Sequence, residues 1–173
     1  KEYLVSENKN LKEIIQTKVS KDYDLITAKV VLDKDSPFVS SLVITKGSNA
    51  GIKKGMPVLH GQNLIGRIVE VNFFSARILL LEDLNSRIPV TLEEGAQAIL
   101  SGSSFKNPVL EYLPDDYELI EGINIFASGK DGIFAAGTPI GVTNDEREVN
   151  LFVDPNQLSF VTVNLVKQNK ETF

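Results

Sequence analysis

A Gly-Ile, then Gly-x-Pro skeleton occurs twice in this chain, and it restricts the backbone more than any other feature. The first copy lies in LVITKGSNAGIKKGMPVLHGQNLIGRIVEV (residues 42–71), as Gly51, Ile52, Gly55, Pro57 and Val58. The second lies in INIFASGKDGIFAAGTPIGVT (residues 123–143), as Gly132, Ile133, Gly137, Pro139 and Ile140, with one extra residue between its glycines. Glycine reaches positive φ that other residues reach only at a cost. Proline can open a strand where the ladder does not need its missing N–H. Each copy therefore reads as strand, tight glycine loop, strand. Two such turns predict two similar β units, one built after the other.

Bulk properties narrow the class. The chain has 173 residues, 42% of them hydrophobic, enough for one large core or two small ones. Its net charge of −5 disfavours nucleic acid, which needs a basic face. It has no cysteine, which removes disulfides, thiolate metal sites and cysteine nucleophiles together. No apolar run approaches the ~20 residues needed to cross a bilayer, and no signal peptide is visible. The first residue is Lys1 rather than Met, so a fragment is expected, with any anchor upstream.

Along the chain, residues 1–20 read as a helix, the end of a coiled coil or else an amphipathic helix packed on its own domain. Leu4, Asn8, Leu11 and Ile15 fall on its a/d seam, and a polar Asn8 at an a position would set register in a parallel dimer. From residue 21 the pattern turns β-branched, with turn clusters between runs. Strands are expected at 25–32, 41–45, 58–60, 64–71, 76–81 and 88–92, then at 96–100, 108–112, 123–127, 139–142, 148–153 and 160–166. The fold class is thus mainly β: the helix, a first six-stranded barrel over 21–95, a second over 96–168, and a frayed tail at 169–173. At roughly 70 residues each, the two units should share an apolar interface. The repeat favours sequential barrels; a nested arrangement, with the first strand joining the second barrel, stays open.

Catalytic constellations on this frame are few. His60, Asp83 and Ser128 have the chain order of a chymotrypsin-like triad, but Ser128 sits in Ala-Ser-Gly-Lys-Asp, and Ser103 and Ser104 sit in Gly-Ser-Ser-Phe. Neither setting supplies a nucleophile with an oxyanion hole, and His60 reads as a strand-end residue beside a turn. With one histidine, metal ligands reduce to carboxylates such as Asp115–Asp116 and Asp145–Glu146, better read as solvated turns. The glycines and lysines at 47–55 lack the Gly-Lys-Ser/Thr helix start of a phosphate loop. What remains is aromatic surplus: Phe73, Phe74, Phe105, Tyr112, Tyr117, Phe126, Phe134 and Phe152. Most should be core and inter-barrel packing; those in loops could form a partner-binding patch. Open strand edges could also take a partner segment by strand addition.

Taken in order, these residues resemble a known family. Glu7-Asn8-x-x-Leu11-x-x-Ile14-Ile15, Ala28-Lys29-Val30, Ser36-Pro37-Phe38 and Leu42-x-Ile44-x-Lys46-Gly47 open the match. Gly51-Ile52-x-x-Gly55-Met56-Pro57-Val58, Leu64-Ile65-Gly66-Arg67-Ile68, Leu80-Leu81-x-Asp83-x-Asn85 and Ile88-Pro89-Val90 continue it. The late run from Ala127-Ser128-Gly129 through Gly132-Ile133-Phe134 to Gly137-x-Pro139-Ile140-Gly141, then Val153-Asp154-Pro155, completes it. The set is similar to the rod-shape-determining MreC family. Residues 118–124 depart from it: Ile123-Asn124 stands where Gly-Asp is more usual. The resemblance implies a bitopic membrane protein of which this is the extracytoplasmic part, with barrels like those of trypsin but no triad. It implies a non-catalytic scaffold without cofactors, a dimer or filament. It would link MreB, through MreD and RodZ, to a class B penicillin-binding protein and RodA, and so control cell shape through peptidoglycan synthesis. The competing reading is a serine hydrolase with a trypsin-like double barrel.

Overall fold

The computed structural model describes residues 23–31, 41–103 and 106–166. The expected helix, with Leu4, Asn8, Leu11 and Ile15, and the tail at 169–173 lie outside the described residues. Twelve strands follow in chain order: β1 (Tyr23–Val31), β2 (Ser41–Ile44), β3 (Pro57–His60), β4 (Asn63–Val71), β5 (Ala76–Leu80), β6 (Arg87–Leu92), β7 (Gln97–Ser103), β8 (Lys106–Glu111), β9 (Asn124–Ala127), β10 (Pro139–Thr143), β11 (Val149–Leu151) and β12 (Phe160–Val166). The protein is mainly β, as its β-branched runs and turn clusters require.

The strands form two six-stranded units. One is a closed barrel in the order β1-β12-β3-β4-β5-β2; the other is a sheet in the order β11-β10-β9-β6-β7-β8. A single bridge from Val109 to Glu148 draws the two ends of the second sheet together, so it is barrel-like. The division at 95/96 is corrected by this pairing. β6, expected to finish the first unit, pairs with β7 and β9 in the second. β12, expected to finish the second unit, runs antiparallel to β1 from Tyr23–Val166 to Lys29–Phe160 and also pairs with β3. The exchange therefore runs from the end of the chain to the first barrel. β1 and β3 would otherwise keep open edges, and β12 fills the gap with Val161 and Val163 turned into the core.

Each unit has its own core. The first is wholly aliphatic among the described residues, with Leu42, Ile44, Ile52, Ile68 and Ile78 no more than 1% exposed. The second centres on Val90, Leu92, Ile125 and Ile140, and Phe134 is its buried aromatic. Most of the aromatics were expected inside; instead Phe73, Phe74, Tyr112 and Phe152 are exposed. Branched aliphatics pack on a pleated surface and already fill both small interiors.

The two glycine loops are alike in their bonds but not in their neighbours. Gly55 N–H donates to Ile68 O and Ile68 N–H to Met56 O; Gly137 N–H donates to Ala127 O and Ala127 N–H to Thr138 O. All four loop glycines are left-handed, Gly51 at φ 87°, Gly55 at 90°, Gly132 at 73° and Gly137 at 87°. In the first copy the bonded strand follows the loop (β4); in the second it precedes it (β9). The extra residue of the second copy moves the plug from Ile, as at Ile52, to Phe134.

The shared apolar interface is present and reciprocal. Leu64 of β4 and Leu81 after β5 belong to the second core, and Leu59 of β3 packs on it. Val153 and Leu158, beyond the second sheet, pack on the first. Leu64 and Ile68, four residues apart on β4, thus serve different cores. The pairing of β3 with β4 shifts between Val58 and Leu59, and that of β4 with β5 between Ile68 and Glu70; each extra residue turns the following side chains over.

Candidate interaction surfaces

The first surface is the tip of the β4–β5 hairpin. Asn72 N–H donates to Ser75 O at 2.8 Å, closing a turn whose two central residues are Phe73 and Phe74. Their rings meet edge to face, 4.6 Å between centroids at 85°, yet they stay 60% and 68% exposed. The tip is held from the side. Ser48 N–H donates to Asn72 O (2.9 Å) and Asn49 N–H to Phe73 O (3.0 Å). Gly47 permits this closeness: a Cβ there would overlap Asn72 O and lie 2.6 Å from Ser75 O. An aromatic pair on a clamped turn loses little entropy when a partner covers it.

The second surface is a groove of about 560 Å³ on the second sheet, lined by Thr91, Leu92, Glu93, Phe126, Ser128 and Ala136 among others. Thr91 pairs with Phe126, and Phe126 with Pro139, so these three share the outer face of neighbouring strands. The rim is acidic. Glu93 Oε2 accepts from Asn124 Nδ2 at 2.7 Å, and Tyr117 Oη donates to Glu94 Oε2 at 3.4 Å. Partial burial, then the Glu94 and Glu93 carboxylates, raise the Tyr117 phenol above its ordinary pKa. Asp115, Asp116 and Glu118 flank Tyr117 in the chain and are exposed. Tyr112, where β8 ends, is 76% exposed and held at φ 62°, a strained value for a non-glycine residue.

The residues with the chain order of a triad are otherwise engaged. His60 is the exposed last residue of β3, paired with Asn63 across its turn. Asp83 Oδ1 accepts from Asn85 N–H at 2.8 Å within the β5–β6 turn. Ser128 Oγ accepts from Lys130 N–H at 3.3 Å. Each hydrogen bond is local to its own loop and gives no nucleophile–base–carboxylate chain. Asp115, Asp116, Asp145 and Glu146 are exposed, and Asn144 Oδ1 accepts from Glu146 N–H (2.9 Å) to shape that turn. Among the described residues no three acids or histidines gather as metal ligands.

Sequence reasoning singled out Phe73, Phe74 and Tyr112 as aromatics but did not place the groove. Its walls come from β6, β9 and the β9–β10 loop, and only the pairing of Thr91 with Phe126 brings them together.

The arrangement of two interlocked barrels matches a known family. The model for the barrel core of the rod shape-determining protein MreC covers residues 30–165. The chain belongs to the MreC family. The cell shape-determining protein MreC of Caulobacter vibrioides is 32% identical over 95% of this chain and 49% of its own length. The chain spans about half the length of the curated relatives it matches. The solved MreC of Listeria monocytogenes is 28% identical with a TM-score of 0.76, over 94% of this chain and 89% of that one. The MreC solved in complex with penicillin-binding protein (PBP2) from Helicobacter pylori is 18% identical. Its TM-score is 0.62, over 83% of this chain and 99% of that one, a likeness of fold. Relatives in this family are thus cell shape-determining proteins.

Proposed function

We propose that this chain is the extracytoplasmic, non-catalytic scaffold of a cell-elongation machinery, acting by binding and organising peptidoglycan synthases. The observation that carries this is the family match across both barrels, joined to surfaces that present clamped aromatics. The complex of the Helicobacter pylori relative with a penicillin-binding protein makes a class B penicillin-binding protein the first partner to test. RodA, MreD, RodZ and the MreB side would then be reached through the assembled complex. Membrane attachment is assigned to a segment upstream of Lys1; no helix among the described residues is long and apolar enough to cross a membrane.

Titration of the chain with the extracytoplasmic part of a class B penicillin-binding protein from a close relative of its source should give a saturable complex. The absence of a complex at any concentration would overturn the reading. A serine-directed fluorophosphonate should leave every serine unmodified, and labelling of one serine would favour the hydrolase instead. Dimerisation is assigned to the helix at 1–20. Leu11→Asp or Ile15→Asp puts charge in its seam and should weaken the dimer in sedimentation; an unchanged dimer would remove that role.

A further inference from the structure

We propose that one end of the first barrel lies against an anionic bilayer, with Phe73 and Phe74 entering the headgroup layer and the lysines beside them facing phosphates. Three observations carry this. The first is where the tip points. Leu64, at the start of β4, packs in the second core, whereas Phe73 and Phe74 lie beyond the other end of that nine-residue strand, about 30 Å away at extended rise. The tip thus projects from the end of the first barrel that faces away from the second, open to a flat surface. Its two exposed rings sit on a turn already clamped by Ser48 and Asn49. They can enter the boundary between headgroups and acyl chains with little entropy lost.

The second is charge. β4 runs toward the tip, so its antiparallel partner β3 starts at the same end, and the loop before β3 lies there. That loop carries Lys46, Lys53 and Lys54; Lys53 and Lys54 are exposed, as is Arg77 near the start of β5. Residues 41–81 hold one further cation, Arg67, and a single acid, Glu70, which lies 3.6 Å from Arg77. β1 adds Asp24 and Lys29, which balance. Residues 93–122, in the second unit, hold seven acids against Lys106 alone. A chain of net charge −5 is therefore polarised. An anionic surface attracts the tip end and repels the second unit, which sets the orientation.

The third is chain direction. β1 is antiparallel to β2, and β2 to β5, so β1 enters the barrel from the tip's end. A membrane segment upstream of Lys1 would bring that end toward the bilayer. Chain direction counts only with the attachment proposed above; the rings and the charge stand without it. A helix over residues 1–20 then leans along the bilayer, since an upright one would hold the tip about 30 Å off.

Co-sedimentation of the full chain with phosphatidylglycerol vesicles, with phosphatidylcholine vesicles as the neutral control, tests this. The chain should pellet with the first and not the second, and should lose binding as salt rises. Each lysine beside an anionic surface strengthens binding about fivefold, so Lys53→Ser/Lys54→Ser should weaken it by about tenfold or more. Phe73→Ser/Phe74→Ser should weaken it about as much, and thermal melts check that both variants fold. The chain has no Trp, so Phe74→Trp gives a single reporter. Its emission should shift to the blue on phosphatidylglycerol vesicles and be quenched by brominated acyl chains. No pelleting, equal pelleting on both vesicles, an unshifted emission, or a Phe73→Ser/Phe74→Ser protein that binds normally would overturn the proposal. Binding lost in Leu11→Asp/Ile15→Asp but kept in Phe73→Ser/Phe74→Ser would also overturn it and assign the contact to the helix. A tip that binds no vesicles yet is needed for the complex with the penicillin-binding protein would be a protein-docking surface. That outcome overturns the bilayer contact and leaves the scaffold reading standing.

Discussion

Gly47 and Gly61 show that two glycines can be needed for unlike reasons. Gly61 is at φ 63° with open space around it, so alanine meets only backbone strain, about 1–2 kcal/mol. Gly47 lies where a Cβ would strike the carbonyls of Asn72 and Ser75. Backbone cannot yield as a side chain can, so Gly47→Ala should cost about 1–3 kcal/mol or more and loosen the Phe73–Phe74 turn. Denaturant melts of both variants, with hydrogen exchange at Asn49, check the difference. Glu82 is a second residue under tension. It lines the crevice between the barrels with Leu64, Ile65, Leu151 and Val153; burial, then Asp154, raise its carboxyl above its ordinary pKa. The folded state therefore holds this proton more tightly than the unfolded chain. The resulting stability is full below the unfolded carboxylate pKa and is lost as pH rises through the raised folded value. Glu82→Gln should flatten that part of the stability–pH curve and leave the protein at least as stable at neutral pH, as melts across the acid range would show.

At the scale of elements, β12 decides whether the first barrel is closed. Val161 and Val163 are 2% and 0% exposed, and burying each contributes about 1.5–3 kcal/mol. Together that is about 3–6 kcal/mol, a large share of the about 5–15 kcal/mol that holds a small domain folded. A chain ending at Ser159 should therefore lose amide protection most in β1 to β5 and less in β6 to β11, a contrast that hydrogen exchange reads directly. The strands themselves were legible, because β-branched runs such as 25–32 and 160–166 lie between turn residues. The partner of β12 was not. Pairing Tyr23 with Val166 joins the two ends of the described chain, and no local pattern encodes so long a closure. The glycine repeat was legible as turn geometry and even predicted matching backbone conformations. It misled about architecture because the same pair of hydrogen bonds serves a following strand in one copy and a preceding strand in the other. The strands expected at 96–100 and 108–112 reach further into the polar residues between them, since β7 runs to Ser103 and β8 starts at Lys106. The groove was invisible for the same reason as β12: Thr91 and Phe126 meet only through the order of the second sheet.

For the whole molecule, the interlock makes the barrels one mechanical body. The chain leaves the first barrel after β5, builds the second, and returns through Val153, Pro155 and Leu158 to close the first. Any force separating the barrels must pull Leu64 and Leu81 from the second core and Val153 from the first. This coupling holds the surfaces of the two barrels in a fixed relation, where a flexible joint would let them reorient independently. Leu64 is the most direct probe: it is rooted in a strand of the first barrel but only 2% exposed within the second core. Leu64→Ala removes that anchor and should cost about 2–5 kcal/mol, with the neighbouring crevice, about 10 Å³ at present, enlarged to hold water. The wild type should melt in one transition and the variant in two, since the seam that makes the cores cooperative would be weakened. Calorimetry distinguishes the cases, and a single sharp transition merely shifted down would mean that coupling passes through the returning chain and β12 instead.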